Sequence, residues 1–376
     1  MVFQATGSSS EIATWIIAIS FLISTIISIL MFFGYAQQLQ MRVWKRNIES
    51  KLSVLESYAR RSKERTAKYL RDIGVENPEE LVNIASEYFT ISPVDIEPTD
   101  IIRRLERILR TGEERIEELV ERAAKKAGNV EKKIAVTLLS ITNVLNMIYK
   151  YVRHILLWGI KTENPLLLGQ LMFQLPLILR IARSYYEASK GIADGKPIGD
   201  AAGPLFAYYL MNRLPKIEGP IEIVKDTIYS VHELEGRKVI IVKAKGPGST
   251  VGRPGEAVEK LAEKYGKDLA AIITVDAALK FEGEDTGAIA EGAGVAMGDP
   301  GPEKIRIERV AIRLGIPLHA FAIKVSLEEA INTMPKEVVE AIGKIIERVE
   351  KLIKETVEPG KTVIVVGVGN TLGVAQ

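Results

Sequence analysis

AAIITVD, residues 270–276, is an unbroken run of small and β-branched apolar side chains that stops on a carboxylate. Such a run reads as a strand buried on both faces, because a half-exposed strand would alternate with polar residues. It has companions. TIYSVH (227–232), KVIIVKA (238–244), LHAFAIK (318–324) and TVIVVGV (362–368) share the grammar, and helical periodicity fills 253–265, 302–314 and 335–357 between them. Strands alternating with helices predict an α/β domain over 196–376, its mostly parallel sheet covered on both sides. Chemistry on such sheets collects in the loops beyond the carboxyl ends of the strands.

Upstream the periodicity is helical throughout. Residues 36–75 form a polar helical run with Leu39, Val43, Ile48, Leu52 and Leu55 near heptad spacing, which predicts packing along a membrane face or self-association, hence a homo-oligomer. Short helices are expected at 78–89 and 99–125, the second broken near Thr111 and Gly112. Two longer apolar segments, 134–160 and 165–190, carry Asn143, Asn146, Arg180 and Arg183 in their interiors, so they read as a soluble or membrane-apposed bundle, with a second and a third span as the alternative. The helical region is thus 36–195.

Before it, residues 13–35 (ATWIIAISFLISTIISILMFFGY) hold no charge and would make a helix about 34 Å long, enough to cross a bilayer. No Lys or Arg lies in residues 1–12, whereas Arg42, Lys45, Arg46 and Lys51 follow closely. The positive-inside bias therefore predicts an external amino terminus over 1–12, a single transmembrane helix over 13–35 in contact with membrane lipid, and a cytoplasmic body.

Across 376 residues, 50 Lys and Arg balance 48 Asp and Glu, so no net field points to nucleic acid as a partner. With no cysteine and three histidines, thiol chemistry is excluded and neither a metal site nor a cofactor is expected. Chemistry must run on carboxylates, hydroxyls, lysines or backbone. Four glycine-rich loops are the places to seek it: GDAAGP (199–204), KGPGSTVGRPGEA (245–257), the stretch 275–304, and GVGNTLGVAQ (367–376). Two of them hold a lone acid among small residues, Asp200 and Asp276. An unpaired carboxylate at the end of an apolar strand is costly to desolvate, so Asp276 calls for a partner or a function. Helix and turn capping is the alternative for both acids.

VDAAL (275–279), DTG (285–287), GAGV (292–295) and LGIPLHAFAIKVSLEEAI (314–331) occur in the order of the VDAL, DTG, G-x-G-V and LGIPV-type elements of the bacterial spore germination protease. GDAAGPLFAYYL (199–210) is similar to that family's PDALGP element, and GPGSTVGRPGEAVEKL (246–261) takes the place of its GxTGxET segment. The entire chain resembles an archaeal membrane-anchored family of unknown function. The protease resemblance implies the three-layer phosphorylase/hydrolase-like fold shared with hydrogenase-maturation endopeptidases. In the protease a strand ending GLGN leads into the DALGP loop, whereas here VIVVGVGN (363–370) closes the chain, which implies a circular permutation. The resemblance makes Asp200 and Asp276 the catalytic carboxylates of an aspartic-type endopeptidase. It places Gly203, Pro204, Asp285, Thr286, Gly292, Gly294, Gly369 and Asn370 around a protein or peptide substrate. An inactive peptidase-like scaffold, or another hydrolase or phosphorylase, would use the same cleft.

Overall fold

The computed structural model describes residues 9–32, 35–94, 99–298 and 301–376. Residues 1–8 of the expected external segment, Phe33 and Gly34 of the expected span, and Asp299 and Pro300 of the loop 275–304 lie outside the described residues. Six helices come first: α1 (Ser9–Phe32), α2 (Tyr35–Asp72), α3 (Pro78–Ser86), α4 (Ile101–Ala123), α5 (Asn129–Lys161) and α6 (Pro165–Ala193). The chain divides into two compact units, one comprising the chain up to Ser57 with Ile148–Leu179, the other Tyr58–Met147 with Arg180–Gln376. The division cuts through α2, α5 and α6.

In the first unit the described side chains of α1, Trp15 to Ile29, form an exposed apolar run. Among the described residues, Pro165–Ala193 is the one helix long and apolar enough to cross a membrane. In the second unit, Leu70, Leu81, Val82, Val120 and Leu139 build a small helical core. The interior asparagines of α5 have protein partners: Asn143 Nδ2 donates to the Ala85 and Tyr88 carbonyls, both at 2.8 Å, and Asn146 Nδ2 to Ser86 O at 3.0 Å. Helix α4 departs from expectation by running unbroken through Thr111 and Gly112. A mid-helix glycine costs only about 1 kcal/mol, and Thr111 bonds back to Arg107 O at 2.8 Å, within the helical pattern.

The rest of the second unit is α/β, with α7 (Ala202–Arg213), β1 (Lys216–Val224), β2 (Thr227–Leu234), β3 (Arg237–Ala244), α8 (Pro254–Tyr265), β4 (Leu269–Leu279), β5 (Ile289–Ala293), α9 (Pro302–Leu314), β6 (Leu318–Val325), α10 (Leu327–Ile331), α11 (Lys336–Thr356) and β7 (Thr362–Gly367). All five expected strands form. They make a seven-stranded sheet in the order β1-β2-β3-β7-β4-β6-β5, with β3, β7, β4 and β6 parallel and β1, β2 and β5 antiparallel at the edges. The last strand made is therefore the middle of the sheet. All six of its residues are buried, as a strand between two parallel neighbours and two helical layers must be. Helices α7 and α11 cover one face, packing Phe206, Leu210, Ile342 and Ile345 on Ile241, Ile273, Phe321 and Val365. Helices α8 and α9 cover the other, with Val258, Leu261, Ile307 and Val310 on Ile240, Ile272 and Ile364. Each such side chain contributes about 1.5–3 kcal/mol on burial.

Candidate functional site

Two turns meet beside β4 where β7 ends. The first is Gly199–Ala201, which leads into α7 and carries Asp200. It is held on its far side by Gly199 N donating to Asn332 O at 3.1 Å and by a bridge between Ile198 and Thr333. Gly203 then lies so close to the sheet that a Cβ there would stand 2.1 Å from Val368 O and 2.5 Å from Val275 O. Only glycine permits that approach. The second turn follows β7: Gly369 has φ +129, and the next amide, Asn370 N, donates to Asp200 Oδ2 at 2.9 Å. Beside them is Asp276, 5 % exposed and inside β4 rather than at its end as expected, because the strand runs on to Leu279 by pairing with β6 as far as Val325. Its Oδ1 accepts from Ala277 N at 2.7 Å and its Oδ2 from Gly298 N at 3.1 Å.

Burial raises the Asp200 carboxyl above its ordinary value, opposed by the Asn370 N–H. Asp276 is held well above the usual carboxylate range, first by burial and then by the charge of Asp200, against the Ala277 and Gly298 amides and the Lys304 ammonium. Burial and the charge of Asp200 together discourage Asp276 from ionising, and there they outweigh two backbone donors.

Of the residues proposed from sequence, Asp200, Gly203, Pro204, Asp276, Gly369 and Asn370 come together; a Cβ on Gly369 would stand 2.0 Å from Asp200 O and 3.3 Å from Pro204 Cδ. Thr286 stands one step away. Its hydroxyl donates to Glu329 at 2.8 and 3.0 Å, and Glu329 completes a capping box with Ser326 on α10, against whose backbone Gly199 packs. Asp285 is exposed. Gly292 and Gly294 do not touch either acid: Gly292 is paired with Ala320 in the β5–β6 ladder, and Gly294 N donates to Leu318 O at 3.1 Å. Their amides are engaged within the sheet rather than offered to a ligand.

Sequence reasoning missed Gly298, whose amide reaches Asp276, and Lys304, whose charge opposes the shift. Both sit in the glycine-rich loop already singled out. It also missed Ser249, through which the loop 245–257 reaches the site: Asn370 Nδ2 donates to Ser249 Oγ at 3.0 Å, and Thr371 Oγ1 to Gly248 O at 2.7 Å. Among the described residues no three of His, Asp and Glu gather as a metal site would require. His232 is packed, Nε2 against Ser230 Oγ at 2.8 Å and Nδ1 against Leu214 O at 3.1 Å.

Another missed group is Lys243, fully buried in β3 opposite Gly367 of β7, its Nζ donating to Ala244 O at 3.0 Å. A lysine inside VIIVKA was the available signal. Burial lowers its ammonium from 10.5 to about 8. Below pH 8 the charge is present in both folded and unfolded chains and the burial penalty is complete; between about 8 and the unfolded value near 10.4 the folded protein sheds the proton first and the penalty fades. Lys243→Met is therefore expected to stabilise the protein by about 2–3 kcal/mol at pH 7, with the difference shrinking towards pH 10. Thermal unfolding across that range checks it.

A model for the N-terminal domain of a protein of unknown function (DUF1512) matches residues 22–195, and one for the DUF1512 C-terminal domain matches residues 198–375. None of the curated proteins matches. Among solved structures, a Mycobacterium tuberculosis proteasome-assembly chaperone homologue is similar at 15% identity over 43% of this chain and 91% of that one, with a TM-score of 0.25.

Proposed function

The chain belongs to the DUF1512 family, and on that premise we propose that it is a membrane-tethered, cytoplasmic endopeptidase of the aspartic type. One observation carries the reading: two buried carboxyls, Asp200 in the turn before α7 and Asp276 within β4, placed so that burial and the first acid's charge hold the second well above the usual carboxylate range. Two acids so coupled divide the labour of hydrolysis. Asp276 keeps the shared proton and presents it to the scissile carbonyl oxygen. Asp200, oriented by the Asn370 amide, accepts a proton from water as the water oxygen bonds to the carbonyl carbon. When the tetrahedral carbon collapses, the C–N bond breaks, the proton on Asp200 passes to the leaving amine, and the oxygen returns its proton to Asp276.

The anchor is α1, supported by its uncharged apolar run and the basic residues that follow, and the same bias puts the body in the cytoplasm. The central place of the last strand supports a permuted peptidase-like sheet, since a parallel sheet is indifferent to which strand is synthesised last when the ends lie close. To test the activity, full-length protein in vesicles is incubated with casein and new amino termini are read by mass spectrometry. Cleavage by wild type and none by Asp276→Asn is expected; intact casein with folded wild type overturns the peptidase.

A second reading rests on its own observation: three of the four carboxylate oxygens already accept backbone amides from this chain. The acids would then be staples closing three loops in an inactive scaffold, and their substitution would change stability alone.

A further inference from the structure

We propose that the α5–α6 hairpin lies in the lipid interface beside the anchor, its apolar stripe against acyl chains and neighbouring cations on headgroup phosphates. The inference rests on the anchored reading of α1 given above. On α6, Leu166, Phe173 and Leu177 fall within about 20° of one line at 100° per residue, one stripe along the helix. They are 69%, 86% and 57% exposed, an unusual state for three large apolar side chains on one face. Across the turn α5 exposes Leu157 and Trp158. The same compact unit contains the chain up to Ser57, and so α1 itself.

Charge decides between lipid and a second protein. Within 37–57 and 148–179 there are seven Lys and Arg against three Asp and Glu, in a chain that is otherwise balanced. Apolar stripe, tryptophan and excess cations together suit an anionic membrane surface. Between the start of α2 and the hairpin turn is a cavity of about 450 Å³ lined by Gln37, Gln38, Arg42, Lys45 and Glu163, two cations against one carboxylate, a seat of the size and net sign for a phospholipid headgroup. Length decides between lying on the membrane and crossing it. Beyond Leu179, α6 belongs to the other unit, where Arg180 pairs with Glu328 and Ser184 and Ser189 are buried. Only Pro165–Leu179 is left, about 22 Å of helix where a span needs about 30 Å.

The absence of cysteine makes the test clean. Full-length Phe173→Cys, Ile23→Cys and Lys351→Cys variants are each labelled with an environment-sensitive fluorophore in phosphatidylcholine vesicles, with and without phosphatidylglycerol. Quenching by lipid-borne nitroxide is compared with quenching by aqueous iodide. At position 173, lipid nitroxide is expected to quench at least about twofold and iodide hardly at all, with more quenching when phosphatidylglycerol is present. Arg42→Gln with Lys45→Gln removes that phosphatidylglycerol increment. Position 351 should answer to iodide alone. Iodide quenching at 173 overturns the proposal, and so does protection from both quenchers, which would mean a protein partner. Position 23 reads the anchor separately, so a water-exposed 173 beside a lipid-exposed 23 sinks the hairpin and spares the tether.

Discussion

Gly203→Ala is expected to cost the α/β body about 3–5 kcal/mol and to abolish any activity of the site, although it adds a single methyl group. That methyl would have to occupy space 2.1 Å from Val368 O, just past β7, and 2.5 Å from Val275 O within β4. Backbone at the middle of a seven-stranded sheet cannot give way, so α7 must lift instead. The lift separates Asp200 from the Asn370 amide and exposes the apolar face that Phe206 and Leu210 cover. Gly343→Ala is the matched control: it lies inside α11 with nothing near its missing Cβ and is expected to be neutral or stabilising by up to about 1 kcal/mol. Thermal unfolding and protease resistance of the two variants separate them. Equal stability of both would mean that α7 does not seat on the sheet through Gly203.

The second large effect is catalytic. Asp200→Asn and Asp276→Asn are each expected to lower kcat about 10³-fold or more, with the double variant little worse than either, because two groups that act as a unit are lost together. Activity should follow a bell in pH, bounded by the two ionisations of the pair, since hydrolysis needs one proton and one charge between them. Stability should move the other way. At Asp276 asparagine removes a group whose carboxyl is held well above its unfolded value, a group that costs folding free energy as pH rises through the window between the two. The asparagine variant is thus expected to gain on wild type from pH 4 to pH 8. A staple role predicts loss of stability on substitution and no lost activity.

The central strands were legible because runs such as VIIVKA and VIVVGV leave a chain no other way to bury β-branched residues. Edge strands were not. KIEGPIEIV of β1 mixes charges with Gly and Pro, and IAEGA of β5 is small and mostly exposed, so neither has the signature of burial. Asp276 announced itself as an acid after an apolar run, although β4 carries it inside the strand and runs on to Leu279. Gly298 could not, because the chain between Gly294 and Gly298 turns back across the sheet, held by Ala296 N on Thr274 Oγ1 at 2.7 Å, a contact without a local pattern. Likewise Gly292 and Gly294 resembled ligand-facing glycines, but their amides serve the β5–β6 pairing and its end. Glycine spacing marks where backbone can approach something; it does not say what.

The shared proton is most directly read by carbon-13 NMR of the full-length protein labelled at aspartate Cγ, titrated with pH and assigned with the two asparagine variants. The Asp276 signal is expected to stay in its protonated position through the range where free aspartates ionise, and its midpoint to fall in Asp200→Asn, which removes the opposing charge. Two midpoints near the ordinary aspartate value, indifferent to substitution of the other acid, would contradict the coupled pair.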